Sequence, residues 1–221
     1  MPKDTLPHVL FPLGNIAKYQ VRDLARKYGL QNAEKPGSQD ICFIPDSGYK
    51  KFIEDRVGKD ALMPGHFKDE NENIVGEHKG IAYYTIGQRD QLGIALGRPV
   101  YVYKIDRETN TVYVGDEGKL YSKGLIADEI NFFSADLPTE KIRVKVKIRY
   151  NQPEINADVI SLDDGKIKVE FKEPQKSVTP GQSVVFYDHD VVVGGGIIKA
   201  PITEAAQPLQ KVSQALTSSL F

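Results

Sequence analysis

The sequence contains a single cysteine, Cys42, in 221 residues. One thiol cannot form an internal disulfide, so a disulfide framework is excluded and a reducing compartment is favoured. The four histidines (His8, His66, His78 and His189) do not cluster at the spacing of metal ligands, which argues against a zinc site. We therefore predict no metal-binding residues.

The chain also lacks an excess of charge and a long apolar run. Lys plus Arg number 29 and Asp plus Glu number 30, so the net charge of -1 gives no overall attraction to nucleic acid or membranes. No apolar run approaches the roughly 18 residues of a membrane span, and the N-terminus carries no export signal. We expect a soluble cytoplasmic protein, without a membrane partner, made of one large domain or two to three small ones.

Two helices are predicted in the first 58 residues. Between residues 15 and 30 apolar side chains recur at helical intervals, and Gly29 supplies a stop. A second helix is predicted to begin after Asp46 or Ser47 and to end at Gly58. The only cysteine lies between these two helices.

From residue 64 onward the sequence has the character of β structure. Short runs rich in Val, Ile, Tyr and Thr are broken by Gly, Asn and Asp, and DRETN (106–110) and SLDDGK (161–166) predict hairpin loops. Many strands without intervening helices predict one or two small barrels or sandwiches, with a break near residues 119–128. The polar residues 201–221 predict a weak helix or a disordered tail.

Five cations alternate with apolar residues in KIRVKVKIRY (141–150). In a strand they project from one face at intervals of about 6.5 Å. They are Lys141, Arg143, Lys145, Lys147 and Arg149. One interpretation is that the lysines protect a sheet edge from aggregation, and the other is that the strip contacts phosphates. The pattern alone favours edge protection.

Three further features have competing interpretations. The run VVVGGGIIK (191–199) lacks the Lys-Ser/Thr ending of a P-loop and has no helix after it, so a bulge or bend in a barrel is favoured. Residues 87–98, GQRDQLGIALGR, are either a ligand loop or a turn. His66 and His78 fall on opposite arms of a predicted hairpin, but two histidines without a third ligand are a poor metal site.

Cys42 itself has two interpretations. Between Ile41 and Phe43 it is either a small buried hydrophobe or a reactive thiolate. A thiolate requires nearby positive charge or a helix N-terminus. The second predicted helix begins a few residues later, and Lys35, Lys50 and Lys51 are close in sequence, so both conditions can be met.

Six segments, in order, resemble the second half of the tRNA-specific 2-thiouridylase family. They are residues 11–30, 37–46 (GSQDICFIPD), 76–94, 101–115, 147–159 and 179–198. The resemblance implies a mainly β fold with a short α-helical N-terminal part, in which a small central β domain precedes a C-terminal β-barrel. The resemblance also implies domain boundaries. Residues 1–58 are the end of a PP-loop domain with the cysteine loop and the following helix, and residues 59–122 are the central domain. Residues 123–200 are the barrel, and residues 201–221 are the tail.

The resemblance also implies roles for individual residues. The family's enzyme activates the wobble uridine of tRNA with ATP and Mg and then replaces its C2 oxygen with sulfur from a cysteine persulfide. Cys42 matches the persulfide carrier, and Arg149, Tyr150 and Gln182 match barrel residues that contact tRNA. The implied partners are tRNA, a sulfur donor (a cysteine desulfurase or a sulfur relay protein) and a PP-loop domain in the same or another chain.

Two parts of the family's machinery are missing from this sequence. The PP-loop motif Ser-Gly-Gly-x-Asp-Ser does not occur in it, and neither does a second cysteine. We therefore expect that this chain binds no ATP or other cofactor and is inactive in isolation as a tRNA-uridine 2-sulfurtransferase. It is predicted to be the sulfur-carrying and tRNA-binding portion of that enzyme. The alternative is a non-catalytic RNA-binding β-barrel that has lost the ATP-dependent activity.

Overall fold

The computed structural model describes residues 3–36, 49–57, 62–133, 138 and 140–203. The chain divides into two compact units, residues 1–115 and 116–221. None of the described helices is long and apolar enough to cross a membrane.

The first unit contains both predicted helices. Helix α1 spans Lys18–Lys27 and helix α2 spans Tyr49–Val57, and short 3-10 helices span Lys3–His8 and Ile81–Tyr83. The chain leaves α1 through Gly29, whose φ of +65° lies in the left-handed region that favours glycine. The prediction of two helices in this part of the chain is confirmed.

The apolar residues around α1 are not buried. No residue of α1 is buried, and the exposed fractions of Leu10, Phe11, Tyr19 and Tyr28 are 82%, 78%, 67% and 71%. Apolar side chains usually stabilise a helix by packing on another element. In the part of the chain that the structure describes, nothing covers this surface.

A four-stranded sheet forms the rest of the first unit. Its strands are β1 (Gly65–Lys68), β2 (Ile74–His78), β3 (Tyr101–Asp106) and β4 (Thr111–Gly115). The order is β2-β1-β4-β3, in which β1 and β4 are parallel and the other pairs are antiparallel. The predicted hairpin at DRETN joins β3 to β4. The core of this unit includes Phe67, Leu92, Val100, Val102, Val112 and Val114.

The second unit is a closed six-stranded barrel. Its strands are β5 (Tyr121–Phe132), β6 (Ile142–Lys147), β7 (Ile155–Ser161), β8 (Ile167–Lys176), β9 (Ser183–Asp188) and β10 (Val191–Ile202). They close in the order β10-β5-β8-β7-β6-β9, and SLDDGK joins β7 to β8 as predicted. Alternate side chains point inward and fill the barrel, among them Leu125, Val146, Val159, Val169 and Phe186. The predicted fold class, mainly β with a short helical N-terminal part and a C-terminal barrel, is confirmed.

The glycine run of β10 lies inside this barrel wall. Strand β10 pairs with β5 on one side and β9 on the other, and its register shifts between Val192 and Gly194 and between Gly195 and Ile197. The prediction of a bulge or bend is therefore confirmed. Strand β10 reaches Ile202, and residues 204–221 of the predicted tail lie outside the described residues.

Candidate functional site

The turn that follows β6 holds two of the predicted contact residues. The sequence pattern predicts a strand over 141–150, but β6 ends at Lys147 and residues 148–152 form a bend and turn. Arg149 and Tyr150 therefore lie at one end of the barrel and not on its wall. Ile148 still packs in the core, where it is 2% exposed, and the chain turns directly after it.

The guanidinium of Arg149 is held by the segment that follows β8. Its Nη2 donates to the carbonyl oxygen of Ser177 at 2.8 Å and contacts Oγ1 of Thr179 at 3.4 Å. The hydroxyl of Thr179 donates in turn to the same Ser177 carbonyl at 2.9 Å. Within the described residues no carboxylate lies within 4 Å of Arg149, so its charge is fixed in place without being neutralised.

Ser177 adopts a backbone conformation that serine rarely takes. Its φ is +56°, a left-handed value that costs on the order of 1 kcal/mol for a residue with a Cβ. Its N–H donates to the carbonyl of Leu120 at 2.7 Å, and the residue is buried. These contacts hold the Ser177 carbonyl in the position where it accepts from Arg149.

Gln182 lies in the same segment as Thr179. Residues 179–182, TPGQ, form a turn in which the N–H of Gln182 donates to the carbonyl of Thr179 at 3.3 Å. Pro180 and Gly181, with a φ of +85° at the glycine, occupy the two central positions as in a type II turn. The structure thus brings Arg149 and Gln182, which are distant in sequence, to the same end of the barrel through Thr179.

Tyr150 is the most exposed large apolar residue among those described, at 94%. An aromatic ring in this setting has no packing role. Such a ring offers its face to a stacking partner, and an unpaired base is one such partner. The barrel end therefore combines a fixed cation, an exposed ring and an exposed amide.

The basic strip on β6 is largely neutralised. Lys141 lies 2.9 Å from Asp158 and 3.1 Å from Glu170, Arg143 lies 3.6 Å from Asp158, and Lys145 lies 3.3 Å from Glu154. These carboxylates come from β8, from β7 and from the loop before β7. Most of the strip therefore holds strands together.

Asp158 is the centre of this ion-pair network. Its side chain is 6% exposed, and it accepts from Lys172 at 2.6 Å and from Lys141 at 2.9 Å. Hydrogen bonds from Lys172 and then Lys141 lower the pKa of Asp158 to about 2, against an opposing effect of burial. The carboxylate is therefore ionised wherever the barrel is expected to function.

The interpretation of the strip as edge protection is wrong. Strand β6 pairs with β7 on one side and β9 on the other, so it is not an edge strand. Closing a sheet into a barrel removes free edges. Lys141 and Lys145 are instead explained by the carboxylates that they face.

His78 is buried in the core of the first unit. The N–H of Gly80 donates to Nδ1 of His78 at 3.1 Å, so the ring proton is on Nε2, which donates to the carbonyl of Asn110 at 3.1 Å. The rings of Phe67 and Tyr84 pack edge-on against it. Among the described residues no group of three or more His, Cys, Asp or Glu side chains is arranged to hold a metal ion.

The loop at residues 87–98 lines a shallow cavity of about 280 Å³ in the first unit. The side chain of Gln88 closes the loop by accepting from the N–H of Thr85 and donating to the carbonyl of Asp90. Arg89 and Arg98 are among the lining residues. Both the ligand-loop and the turn interpretation remain compatible with this geometry.

Cys42 and the segment GSQDICFIPD lie outside the described residues. The described neighbour of this segment is α2, and its Glu54 accepts from the hydroxyl of Tyr83 at 2.6 Å. Sequence reasoning missed Ser177 and Thr179 as the residues that hold Arg149. The Pro-Gly pair of TPGQ predicts a turn. No pattern of residues predicts that Ser177 has a left-handed backbone conformation.

Three family models match the chain in series. They are described as the tRNA methyl transferase HUP domain (residues 1–46), the tRNA methyl transferase PRC-barrel domain (50–116) and the aminomethyltransferase beta-barrel domain (122–198). The chain is 54% identical over 197 residues to the tRNA-specific 2-thiouridylase MnmA of Acetivibrio thermocellus. The chain belongs to the tRNA-specific 2-thiouridylase family. The six segments quoted above lie within the matched regions.

Two other members of the family match this chain with similar identity and coverage. The MnmA protein of Halothermothrix orenii is 52% identical over 197 residues, and that of Clostridium beijerinckii is 46% identical over 200 residues. These alignments, with that to the Acetivibrio protein, cover 88–90% of this chain but only 54–56% of each relative. The chain therefore spans about half the length of the curated relatives it matches.

Proposed function

We propose that this chain is the sulfur-carrying and tRNA-binding portion of a cytoplasmic enzyme that 2-thiolates the wobble uridine of tRNA. In this proposal residues 123–200 contact tRNA through Arg149, Tyr150 and Gln182. Residues 1–58 supply Cys42 as the persulfide carrier next to the end of a PP-loop domain, and residues 59–122 form the central domain.

The geometry of Arg149 is the observation that carries the proposal. A guanidinium that a backbone carbonyl holds, and that no described carboxylate neutralises, can donate its remaining N–H groups to a phosphate or a base edge. The exposed ring of Tyr150 beside it gives a base a surface for stacking. The relatives that the chain matches are named for an activity on tRNA.

Cys42 would act as a carrier of one sulfur atom. A donor such as a cysteine desulfurase or a sulfur relay protein transfers sulfur to the thiolate and leaves a persulfide. The terminal sulfur attacks C2 of the activated uridine and displaces the activating group. A second thiol then cleaves the S–S bond, which leaves sulfur on the uridine and a disulfide between Cys42 and that thiol. This chain contains no second cysteine.

Activation of the uridine by ATP and Mg is assigned to a PP-loop domain, in the same or another polypeptide. The glycine run Gly194–Gly196 does not fit that role, because it is paired on both sides inside β10 and cannot wrap a phosphate. The exposed apolar surface around α1 is consistent with a domain that continues beyond it.

The proposal is tested by binding unmodified tRNA to the full chain with Arg149→Ala. The change should raise the Kd about tenfold and lower the slope of log K against log salt by about one. Arg143→Ala is the matched control, because Arg143 has the same side chain, lies in β6 just before the turn and faces Asp158. Circular dichroism and urea unfolding would establish that both variants fold.

Two results would contradict the proposal. In one, the unaltered chain shows no salt-dependent affinity for tRNA. In the other, Arg149→Ala and Arg143→Ala weaken binding equally, as expected for a general effect of charge.

A further inference from the structure

The outer face of β6 divides into a neutralised part and a part with unpaired charge. Lys141, Arg143 and Lys145 each lie within 4 Å of a carboxylate. Lys147, the next outward residue, has no such partner among the described residues. Its Nζ lies 6.0 Å from the ring centre of Tyr187, which belongs to β9. Lys147 is followed two residues later by Arg149, which also has no carboxylate within 4 Å in the part of the chain that the structure describes.

Binding a phosphate costs less at an unpaired cation than at a paired one. A lysine that already faces a carboxylate must give up that contact, and the carboxylate then repels the incoming phosphate. Lys147 faces no carboxylate among the described residues, so neither cost applies to it. The face of the Tyr187 ring also favours a cation above it, which restricts the positions open to the long lysine side chain.

We propose that Lys147, held over Tyr187, contacts a phosphate of the tRNA backbone next to the one at Arg149. The inference rests on the proposed function, since it extends the same RNA-binding surface. Lys147 is the last residue of β6 and Arg149 lies two residues further on in the turn, so the two cations are neighbours at the same end of the strand. The RNA backbone then passes from the turn at 148–150 onto the wall where β6 meets β9.

This assignment separates the roles of the five cations. Lys147 and Arg149 bind RNA, whereas Lys141, Arg143 and Lys145 stabilise the barrel through Asp158, Glu154 and Glu170. Charge alone does not distinguish them, because all five alternate along one segment of the sequence. The carboxylates contributed by neighbouring segments make the distinction.

The test compares Lys147→Gln with Lys145→Gln in the full chain. Both variants lose one positive charge from the same strand face, so a general charge effect would be equal in the two. The Kd for unmodified tRNA is measured from about 50 to about 300 mM KCl. Lys147→Gln should raise the Kd about fivefold at low salt and reduce the salt slope by about one, and Lys147→Arg should restore both. Lys145→Gln should leave the slope unchanged.

The outcomes separate this inference from the proposed function. If Arg149→Ala weakens binding while Lys147→Gln matches the unaltered chain in affinity and slope, the inference on Lys147 is overturned and the proposed function stands. Equal changes in Lys147→Gln and Lys145→Gln would also overturn it. If the unaltered chain does not bind tRNA, both fail. Urea unfolding of each variant identifies any change that comes from lost stability.

Discussion

His78 is a titratable residue that the first unit keeps neutral. Burial lowers its pKa below the ordinary value of 6.5, the carbonyl of Asn110 opposes that effect, and the charge of His66 adds to it. Protonation of Nδ1 would also remove the acceptor of the Gly80 N–H. The unfolded chain binds this proton with an ordinary pKa, so acid favours the unfolded state.

We therefore expect the free energy of unfolding of the first unit to fall as the pH drops below about 6.5. Urea unfolding at about pH 7.5 and about pH 5.5 would measure this fall in the unaltered chain and in His78→Gln. The glutamine amide keeps one donor and one acceptor but does not titrate. Its loss of stability on acidification should be smaller than that of the unaltered chain. His66→Gln, at an exposed position on β1, should retain most of the dependence. An unchanged pH dependence in His78→Gln would refute the assignment.

Strand β10 shows how glycine determines the shape of an element. A Cβ added at Gly194 would lie 2.7 Å from the carbonyl oxygen of Asn131 and 3.1 Å from Cα of Phe132. A Cβ at Gly195 would lie 2.7 Å from the carbonyl oxygen of Val184. These are backbone atoms, so a side-chain rotation cannot relieve the contacts. The neighbouring strands approach β10 closely only because these positions lack side chains.

Gly194→Ala should therefore destabilise the barrel by about 1–3 kcal/mol, as overpacking does in a close-packed interior. Chemical denaturation of the full chain would measure the change. Gly118→Ala is the matched control, because an added Cβ there meets nothing within 4 Å, and it should change the stability by less than about 1 kcal/mol. A loss in Gly194→Ala no larger than that in Gly118→Ala would contradict this account.

Strand β6 shows which features of an element can be predicted from the sequence. Its alternation of cations with apolar residues predicts a strand with one solvent-exposed and one buried face, because successive side chains point to opposite faces of any strand. The partners of the cations were not predictable, since Asp158, Glu154 and Glu170 belong to other segments whose register depends on the closed barrel. The candidate site is likewise only partly predictable from the sequence. The family resemblance implies Arg149 and Gln182, but their meeting through Thr179 follows from the barrel topology.

At the scale of the whole molecule, we expect sulfur loading without turnover. Incubation with a cysteine desulfurase and cysteine should add one sulfur atom to Cys42, seen as a mass increase that reductant removes. Cys42→Ser should show no increase. With tRNA and ATP present, the chain alone should form no 2-thiouridine, because it has no second thiol to release the sulfur.

The measurement also decides between the two interpretations of the chain. Absence of added sulfur on an alkylatable Cys42 would favour the RNA-binding module without sulfur transfer. Formation of 2-thiouridine by the isolated chain would contradict the requirement for a partner domain.

The closure of the barrel has a consequence for its synthesis. Strand β5 is the first strand of the barrel to be made, yet one of its neighbours is β10, the last, with Gly124 opposite Ile202 and Phe132 opposite Gly194. Contacts between residues so far apart in sequence form late and slowly. While the ribosome adds the intervening strands, one side of β5 stays open to other nascent chains. Translation rate and chaperone supply should therefore affect the yield of folded protein.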